Sequence, residues 1–257
     1  MEKAESTKEK RRVEVEMRDR ISDLPDSLLL QILSLLPIQK AIATSFLSKR
    51  WRPLWLSLPI LYLDFRYFQR LTFFTRFVDK LLSLVDLKSV TTFVFYCKYY
   101  KNLEYFEWWK MSKWIDAVIS NRVQHLELHF SSREDYYELP SSVFTASSIK
   151  VLRLNGVMVG TLSCVNLPLL QVLHLEDVQF KDVGSLEMLL SSCPLLKHLV
   201  LKFSYGGDKS PIDIRGLNHL VTAKVPQSLL PLEALSNVTF LRLYENGEVP
   251  PPKLPQA

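Results

Sequence analysis

The chain is poor in glycine and cysteine, and it has no long apolar run. Seven of its 257 residues are glycine. A sandwich of hairpin-linked strands needs turns rich in glycine and asparagine, so the composition disfavours that fold. No apolar run approaches the roughly 20 residues of a membrane-spanning helix, and we expect no membrane partner. The charged start MEKAESTKEKRR is not followed by an apolar stretch, so no secretory signal is expected.

The sequence also lacks the patterns of a disulfide framework and of common active sites. Its cysteines, Cys97, Cys164 and Cys193, are odd in number and widely spaced, and they form no CxxC pair. They predict buried reduced thiols in a protein of the nucleus and/or cytoplasm. GxxxxGK[ST], GxGxxG, GxSxG and HExxH are all missing from the chain. We therefore expect no enzymatic activity and no cofactor.

The net charge of +5 is not concentrated in one basic stripe. Residues 1–20 hold seven Lys or Arg against six Asp or Glu, which predicts a disordered charged tail over 1–19. The stretch KEKRR at 8–12 fits either a nuclear import signal or a solvated tail. The basic cluster Lys49, Arg50 and Arg52 lies among tryptophan and leucine, which indicates an amphipathic face. We expect no nucleic-acid partner.

Residues 22–52 are the most apolar helical segment. Asp23-Leu24-Pro25-Asp26 is a helix-start signal, and leucine and isoleucine then recur at helical spacing as far as Leu36, before Pro37. A second helix is predicted over about 38–46, and LSKRWRPLW begins a third short one limited by Pro53. Three short helices cannot bury a stripe this wide. Part of it must therefore face another element or another protein.

The stretches DLPDSLLLQILSLLP (23–37) and AIATSFLSKRWRPLW (41–55) resemble the F-box of large plant families, in which LSKRW closes the motif. The resemblance covers residues 20–64. It implies docking on the Skp-type adaptor of an SCF cullin–RING ubiquitin ligase. The family's adaptor-facing positions map onto Leu24, Pro25, Leu28, Ile32, Leu36, Ile38 and Trp51.

A six-residue template, apolar-x-x-apolar-x-apolar, recurs along the rest of the chain. The fourth positions of its copies are mostly 21 to 26 residues apart, an interval typical of leucine-rich repeats. The pattern predicts an α/β (or α+β) solenoid over 65–249 with one parallel sheet. Return helices are expected in MSKWIDAVIS (111–120) and GSLEMLLSSCPLL (184–196). The strands are predicted near 90–95, 123–128, 149–154, 170–175, 196–201, 217–222 and 238–243.

The repeats resemble those of the plant F-box/LRR group whose members often end in an FBD domain. LPSSVFTASSIKVLRLNGV (139–157), LPLLQVLHLEDVQF (167–180) and LLSSCPLLKHLVL (189–201) carry this likeness. Members usually continue with more repeats and the FBD module, whereas this sequence runs into a proline-rich tail over 250–257. On this comparison an FBD is expected to be missing, and a truncated or spliced product remains open.

Residues that flank the fourth and sixth template positions should project from the concave sheet and form a recognition surface. All five histidines are expected on it, and His125, His198 and His219 share one register. No cysteine or carboxylate completes a metal-ligand set there, so no metal site is expected. The candidate substrate face comprises His125, Glu127, Arg153, His174, Glu176, His198, Lys202, Arg242 and Tyr244.

These features predict a non-catalytic substrate receptor that bridges an SCF ligase and an unknown target protein. One alternative is a truncated protein that binds the adaptor but no substrate. Another is a helix-turn-helix DNA-binding protein, suggested by the pI near 9.0 and the three helices. That class needs polar, base-reaching side chains on its second or third helix. This chain has apolar residues there instead, namely Ile42, Phe46, Leu47, Trp51 and Leu54.

Overall fold

The computed structural model describes residues 20–21, 23–98, 108–131, 136–202, 217–227, 229–231 and 235–244. The predicted tails at 1–19 and 250–257 lie outside these residues. The chain divides into two compact units, Met1–Leu58 and Pro59–Ala257, and each is described by itself.

The first unit is helical. Helix α1 spans Asp26–Ser34 and helix α2 spans Ile38–Ala43, and each is preceded by a proline that provides a pre-set φ at the helix start. Single 3₁₀ turns follow at Thr44–Phe46 and Leu54–Ser57. The third helix, predicted to begin in LSKRWRPLW and to be limited by Pro53, does not form there, and the 3₁₀ turn at Leu54–Ser57 starts after this proline.

In its described residues, the second unit is a parallel sheet with three α-helices. Its helices are α3 (Leu71–Leu84), α4 (Trp108–Ser120) and α5 (Val183–Ser191). Its strands are β1 (Ile60–Asp64), β2 (Thr92–Lys98), β3 (His125–Ser131), β4 (Tyr137–Glu138), β5 (Val151–Val159), β6 (Val172–Phe180), β7 (His198–Lys202), β8 (Thr222–Pro226) and β9 (Phe240–Tyr244).

The sheet runs in the order β1-β2-β3-β5-β6-β7-β8-β9, with β4 paired to β5 outside this path. Every pair of neighbours is parallel. The α/β solenoid with one parallel sheet is thus confirmed. Six strands begin two residues after the start of their template copy, because the first apolar residue of the template lies in the preceding turn.

Three strands differ from the prediction, and one of them is the short strand β4, which was not expected beside β5. The strand expected at 217–222 lies at Thr222–Pro226, because Ala223, not Leu220, pairs with Leu199 and Leu241. Strand β1 was not predicted. It pairs with β2 and belongs to the second unit, so the expected F-box boundary at residue 64 differs from the division after Leu58.

The core of the second unit lies between the sheet and its helices. Phe74 of α3, Phe95 of β2 and Trp114 of α4 pack with ring centroids 5.5 to 6.5 Å apart. The predicted helix over 111–120 is confirmed, and its inward residues Ile115 and Val118 are buried. Large aromatic side chains thus fill the wide first repeats, where helices form the return segments.

The three cysteines are free thiols, but they differ in exposure. Cys97 and Cys193 are buried, and burial raises the pKa of each thiol to about 12. Cys164 is exposed, which corrects the expectation that all three are buried. It lies in the irregular segment between β5 and β6, which contributes no strand to the sheet.

Candidate interaction surfaces

Helix α1 has two apolar stripes. Leu29 and Leu33 are completely buried and form the inner stripe. Leu28 and Ile32 keep 42% and 41% of their surfaces exposed. Residues four apart lie on one side of a helix, and neighbouring residues are rotated by about 100°, so the exposed pair forms a separate outer stripe. The inner stripe is part of the buried core, and the outer stripe is exposed to solvent.

Five of the seven predicted adaptor-facing residues lie at the surface. Pro25, Leu28, Ile32 and Leu36 are exposed, and Leu24 is half-buried. The other two are placed differently by the structure. Ile38 and Trp51 are only 2% and 5% exposed, because they pack inside the unit. They can support an interaction surface from within, but they do not form it in this conformation.

Three exposed apolar residues were not among the predicted positions. Leu35 follows α1, Phe46 lies in the 3₁₀ turn after α2, and Leu47 comes next. Phe46 is 93% exposed. Together with the outer stripe and Leu36 they form what we call the outer apolar set: Leu28, Ile32, Leu35, Leu36, Phe46 and Leu47. Phe46 lies beyond the end of α2 at Ala43, whereas the sequence predicted this helix over about 38–46.

Arg50 connects the two ends of the helical unit. Its guanidinium donates to Asp26 Oδ1 through Nε at 2.9 Å and Nη2 at 2.6 Å, and Nη2 also donates to the carbonyl of Leu24. Thus Arg50, from the LSKRW stretch, fixes the loop after α2 to the start of α1. A lysine could not make this planar, forked contact.

The sheet presents alternate residues on the side away from its buried leucines, which we call the open face. The nine residues of the candidate substrate face all lie in strands at these alternating positions. Each is half-buried or exposed. His219 does not belong to this face, contrary to expectation, since it lies in the turn before β8. The shift of β8 by several residues removes it from the register of His125 and His198.

Glu127 is the centre of a closed polar cluster on β2 and β3. His129 Nε2 lies 2.7 Å from Oε1, His125 Nε2 lies 3.3 Å from Oε2, and the Tyr96 hydroxyl donates to Oε1 at 3.0 Å. The Tyr96 and His129 rings stack at 4.1 Å. The His125 and His129 rings hold the pKa of the Glu127 carboxyl well below its usual range. These groups satisfy one another and leave few free donors.

Asp64 on β1 is satisfied in the same way. Its side chain is fully buried and accepts hydrogen bonds from the backbone and guanidinium of Arg66 and from the Tyr62 hydroxyl. The carboxylates of Asp64 and Glu127 are therefore bonded within the first three strands.

The middle strands carry a looser polar cluster. Glu176 lies 3.5 Å from His174 Nε2 and 3.7 Å from Lys202 Nζ. The imidazole of His174 and the charge of Lys202 outweigh burial, which acts in the opposite direction, and lower the pKa of Glu176 to about 2. Arg153 Nε is 3.9 Å from Glu127, too far for a hydrogen bond.

The described residues contain neither a candidate metal site nor a candidate membrane-spanning helix. Among the described residues, no group of three or more His, Cys, Asp or Glu is placed to hold a metal ion. Nor does any helix in the described ranges have the length and apolarity to cross a bilayer.

Comparison with known proteins agrees with this arrangement. The F-box domain model matches residues 21–63, and the model "FBD-associated F-box protein At5g56370, LRR repeats" matches residues 111–246. The chain is 39% identical over 189 residues to F-box/FBD/LRR-repeat protein At5g22660 of Arabidopsis thaliana. This alignment covers 71% of this chain and 40% of that protein. No solved structure matches.

It is also 34% identical over 212 residues to F-box/LRR-repeat protein 13 of Arabidopsis thaliana, covering 82% of this chain and 47% of that protein. The chain thus spans less than half the length of these two relatives.

Proposed function

Because the chain belongs to the plant family of FBD-associated F-box proteins with leucine-rich repeats, we propose that it is a non-catalytic substrate receptor of an SCF-type ubiquitin ligase. The first unit docks on the Skp-type adaptor, which carries the cullin and RING subunits. The open face of the sheet holds a target protein. Ubiquitin transfer takes place on the other subunits, in the nucleus and/or cytoplasm.

The outer stripe of α1 carries the docking proposal. Leu28 and Ile32 are large apolar side chains held outward by a helix whose inner stripe is already filled. Such a surface is costly in water and is typical of a protein interface. The F-box match over residues 21–63 supports the Skp-type adaptor as the partner class.

The receptor needs no reactive side chain to act. By holding the target and the ligase in one complex, it raises the effective concentration of target lysines at the site of ubiquitin transfer. Its contribution is therefore affinity and orientation.

Affinity purification with the proteasome inhibited tests both halves of this proposal. The tagged full chain is compared with a chain lacking residues 22–52. We expect the adaptor and cullin to be lost from the deleted chain, while the target remains bound. Retention of the adaptor by the deleted chain would contradict the docking role.

A further inference from the structure

One register row of the open face is rich in cationic side chains. Across β5 to β9 the pairing aligns Arg153, His174, Val200, Lys224 and Arg242. We call these five residues the cation row. Adjacent strands are about 4.8 Å apart, so the row extends about 19 Å.

Two nitrogen atoms of this row are buried without a hydrogen-bond partner. They are Arg153 Nε, 3.9 Å from Glu127, and His174 Nε2, 3.5 Å from Glu176, on neighbouring strands. Both can donate, and an unsatisfied buried donor costs free energy. Both nitrogens are closed to solvent, so an incoming acceptor would meet the exposed part of the Arg153 side chain, 42% of its surface. This end of the row is therefore suited to a carboxylate.

The other end of the row is held in place by aromatic rings. Lys224 Nζ lies 6.0 Å from the centroid of the Phe240 ring, and the Arg242 guanidinium lies 5.3 Å from that of Tyr244. Such cation–π contacts restrain long side chains without neutralising their charge. Lys224 and Arg242 thus remain available for an anionic group.

The charge around the row is uneven. On the open face of β5 to β9, the cation row and the register rows on either side contain four basic residues, Arg153, Lys202, Lys224 and Arg242. Among the described residues of those rows, Glu176 is the one carboxylate, and Lys202 and His174 already face it. Strands β1 to β3 differ, because Asp64 and Glu127 are satisfied by their own neighbours.

We propose that the cation row binds an extended acidic segment of the target protein. The segment runs across the strands, with one carboxylate between Arg153 and His174, an apolar side chain on Val200, and a second carboxylate between Lys224 and Arg242. This inference rests on the proposed receptor function and names the chemical class of its substrate.

The geometry sets the spacing of the two acidic positions. The midpoint between Arg153 and His174 and the midpoint between Lys224 and Arg242 are three strand intervals apart, which is about 14 Å. An extended peptide rises about 3.3 Å per residue, so the two carboxylates should lie about four residues apart. The apolar residue lies about midway between them.

Binding of a labelled synthetic peptide to the full chain tests the proposal. The probe has two glutamates four residues apart with a leucine midway, and fluorescence anisotropy reports its affinity. We expect Arg153→Gln to weaken peptide binding about tenfold. The double variant that carries Lys224→Glu and Arg242→Glu should weaken it more. Raising the salt concentration should also weaken binding, because these charges are partly exposed.

The matched control is Arg76→Glu with Lys80→Glu on the exposed side of α3. It changes the net charge by the same amount away from the cation row, and it should leave peptide affinity unchanged. Circular dichroism checks that each variant is folded. If Arg153→Gln fails to fold, the Lys224 and Arg242 variant still decides the matter.

Three results would overturn the proposal. They are unchanged affinity in the Lys224 and Arg242 variant, equal affinity for a peptide with lysines in place of the glutamates, and preferential binding of a single-stranded oligonucleotide. A peptide with adjacent glutamates should bind several-fold more weakly, and equal binding would contradict the two-point geometry.

The peptide assay needs no adaptor, and adaptor binding is measured separately on the same variants. If the chain binds the peptide but does not bind the adaptor, the result counts against the receptor function alone. Intact adaptor binding without peptide binding would count against the acidic segment alone.

Discussion

Arg50 and Asp26 are 24 positions apart in the sequence, and Arg50 Nη2 lies 2.6 Å from Asp26 Oδ1. The contact joins the two most recognisable parts of the F-box sequence, LSKRW and DLPD. Arg50 also donates to the Leu24 carbonyl, so it closes the loop after α2 onto the start of α1. Arg50 is thus part of the unit's own structure.

Replacing Arg50 with glutamine should destabilise the helical unit modestly. Both partners are exposed, and exposed ion pairs contribute little, so we expect a loss of about 1 kcal/mol in the free energy of unfolding. Hydrogen exchange at the amides of α1 measures the change. Arg52→Gln, two residues away at an exposed position, is the control and should leave exchange unchanged. Equal effects of both variants would contradict a specific role for Arg50.

Gly156 should not tolerate a side chain. It has a φ of +67°, and a Cβ atom there would lie 2.3 Å from the carbonyl oxygen of Phe130. Gly156→Ala must therefore shift the backbone of β3 or β5, and we expect a loss of about 2 kcal/mol or more, seen in urea unfolding.

Gly184→Ala is the matched control for this substitution. Gly184 lies near the start of α5, where a Cβ atom would meet Asp182 Oδ1 at an ordinary 3.5 Å. Alanine is the better helix former, so stability should stay equal or rise by up to about 1 kcal/mol. If the two glycines respond alike, the backbone described at Gly156 is wrong.

Stability should fall at acidic pH because of two carboxylates on the open face. The pKa of Glu127 is lowered by His125 and His129, and that of Glu176 is lowered from 4.5 to about 2. A lowered pKa in the folded state contributes stability above the unfolded value of about 4.5. That contribution is lost as the pH falls toward the folded value.

Thermal unfolding at pH 5 and pH 3 checks this expectation. The melting temperature of the wild-type chain should fall more between these two values than that of a chain with Glu127→Gln and Glu176→Gln. Glu187→Gln on α5 controls for loss of a carboxyl group elsewhere. Parallel curves for the wild type and the double variant would show that the two clusters do not stabilise the fold.

The sequence predicted the ladder because large aliphatic side chains mark its buried positions. It misplaced β8 because Ala223, although fully buried, is too small to stand out beside Leu220. The sequence did not predict β1, although LPILYL (58–63) fits the template, because these residues also belong to the stretch that resembles the F-box. Local patterns identify repeats well, and they fail where a small residue occupies a core position or two motifs overlap.

The surfaces were predictable in part. Alternation along the strands predicted which residues face outward, since successive side chains point to opposite faces of a sheet. The bonding within the Glu127 cluster was not predictable, because it depends on side-chain conformations across neighbouring strands. Similarly, the apolar spacing of α1 could not separate the outer stripe from the inner one. That separation depends on how the two helices pack.

The central claim is that the outer stripe of α1 binds the Skp-type adaptor while the inner stripe holds the unit together. The direct test is isothermal titration of the purified chain with the adaptor. The wild type is compared with a double variant that carries both Leu28→Glu and Ile32→Glu. We expect the double variant to lose more than about a hundredfold in affinity with little change in melting temperature. Leu29→Ala should instead cost about 2 to 5 kcal/mol of stability. Adaptor affinity unchanged by Leu28→Glu with Ile32→Glu would contradict the account.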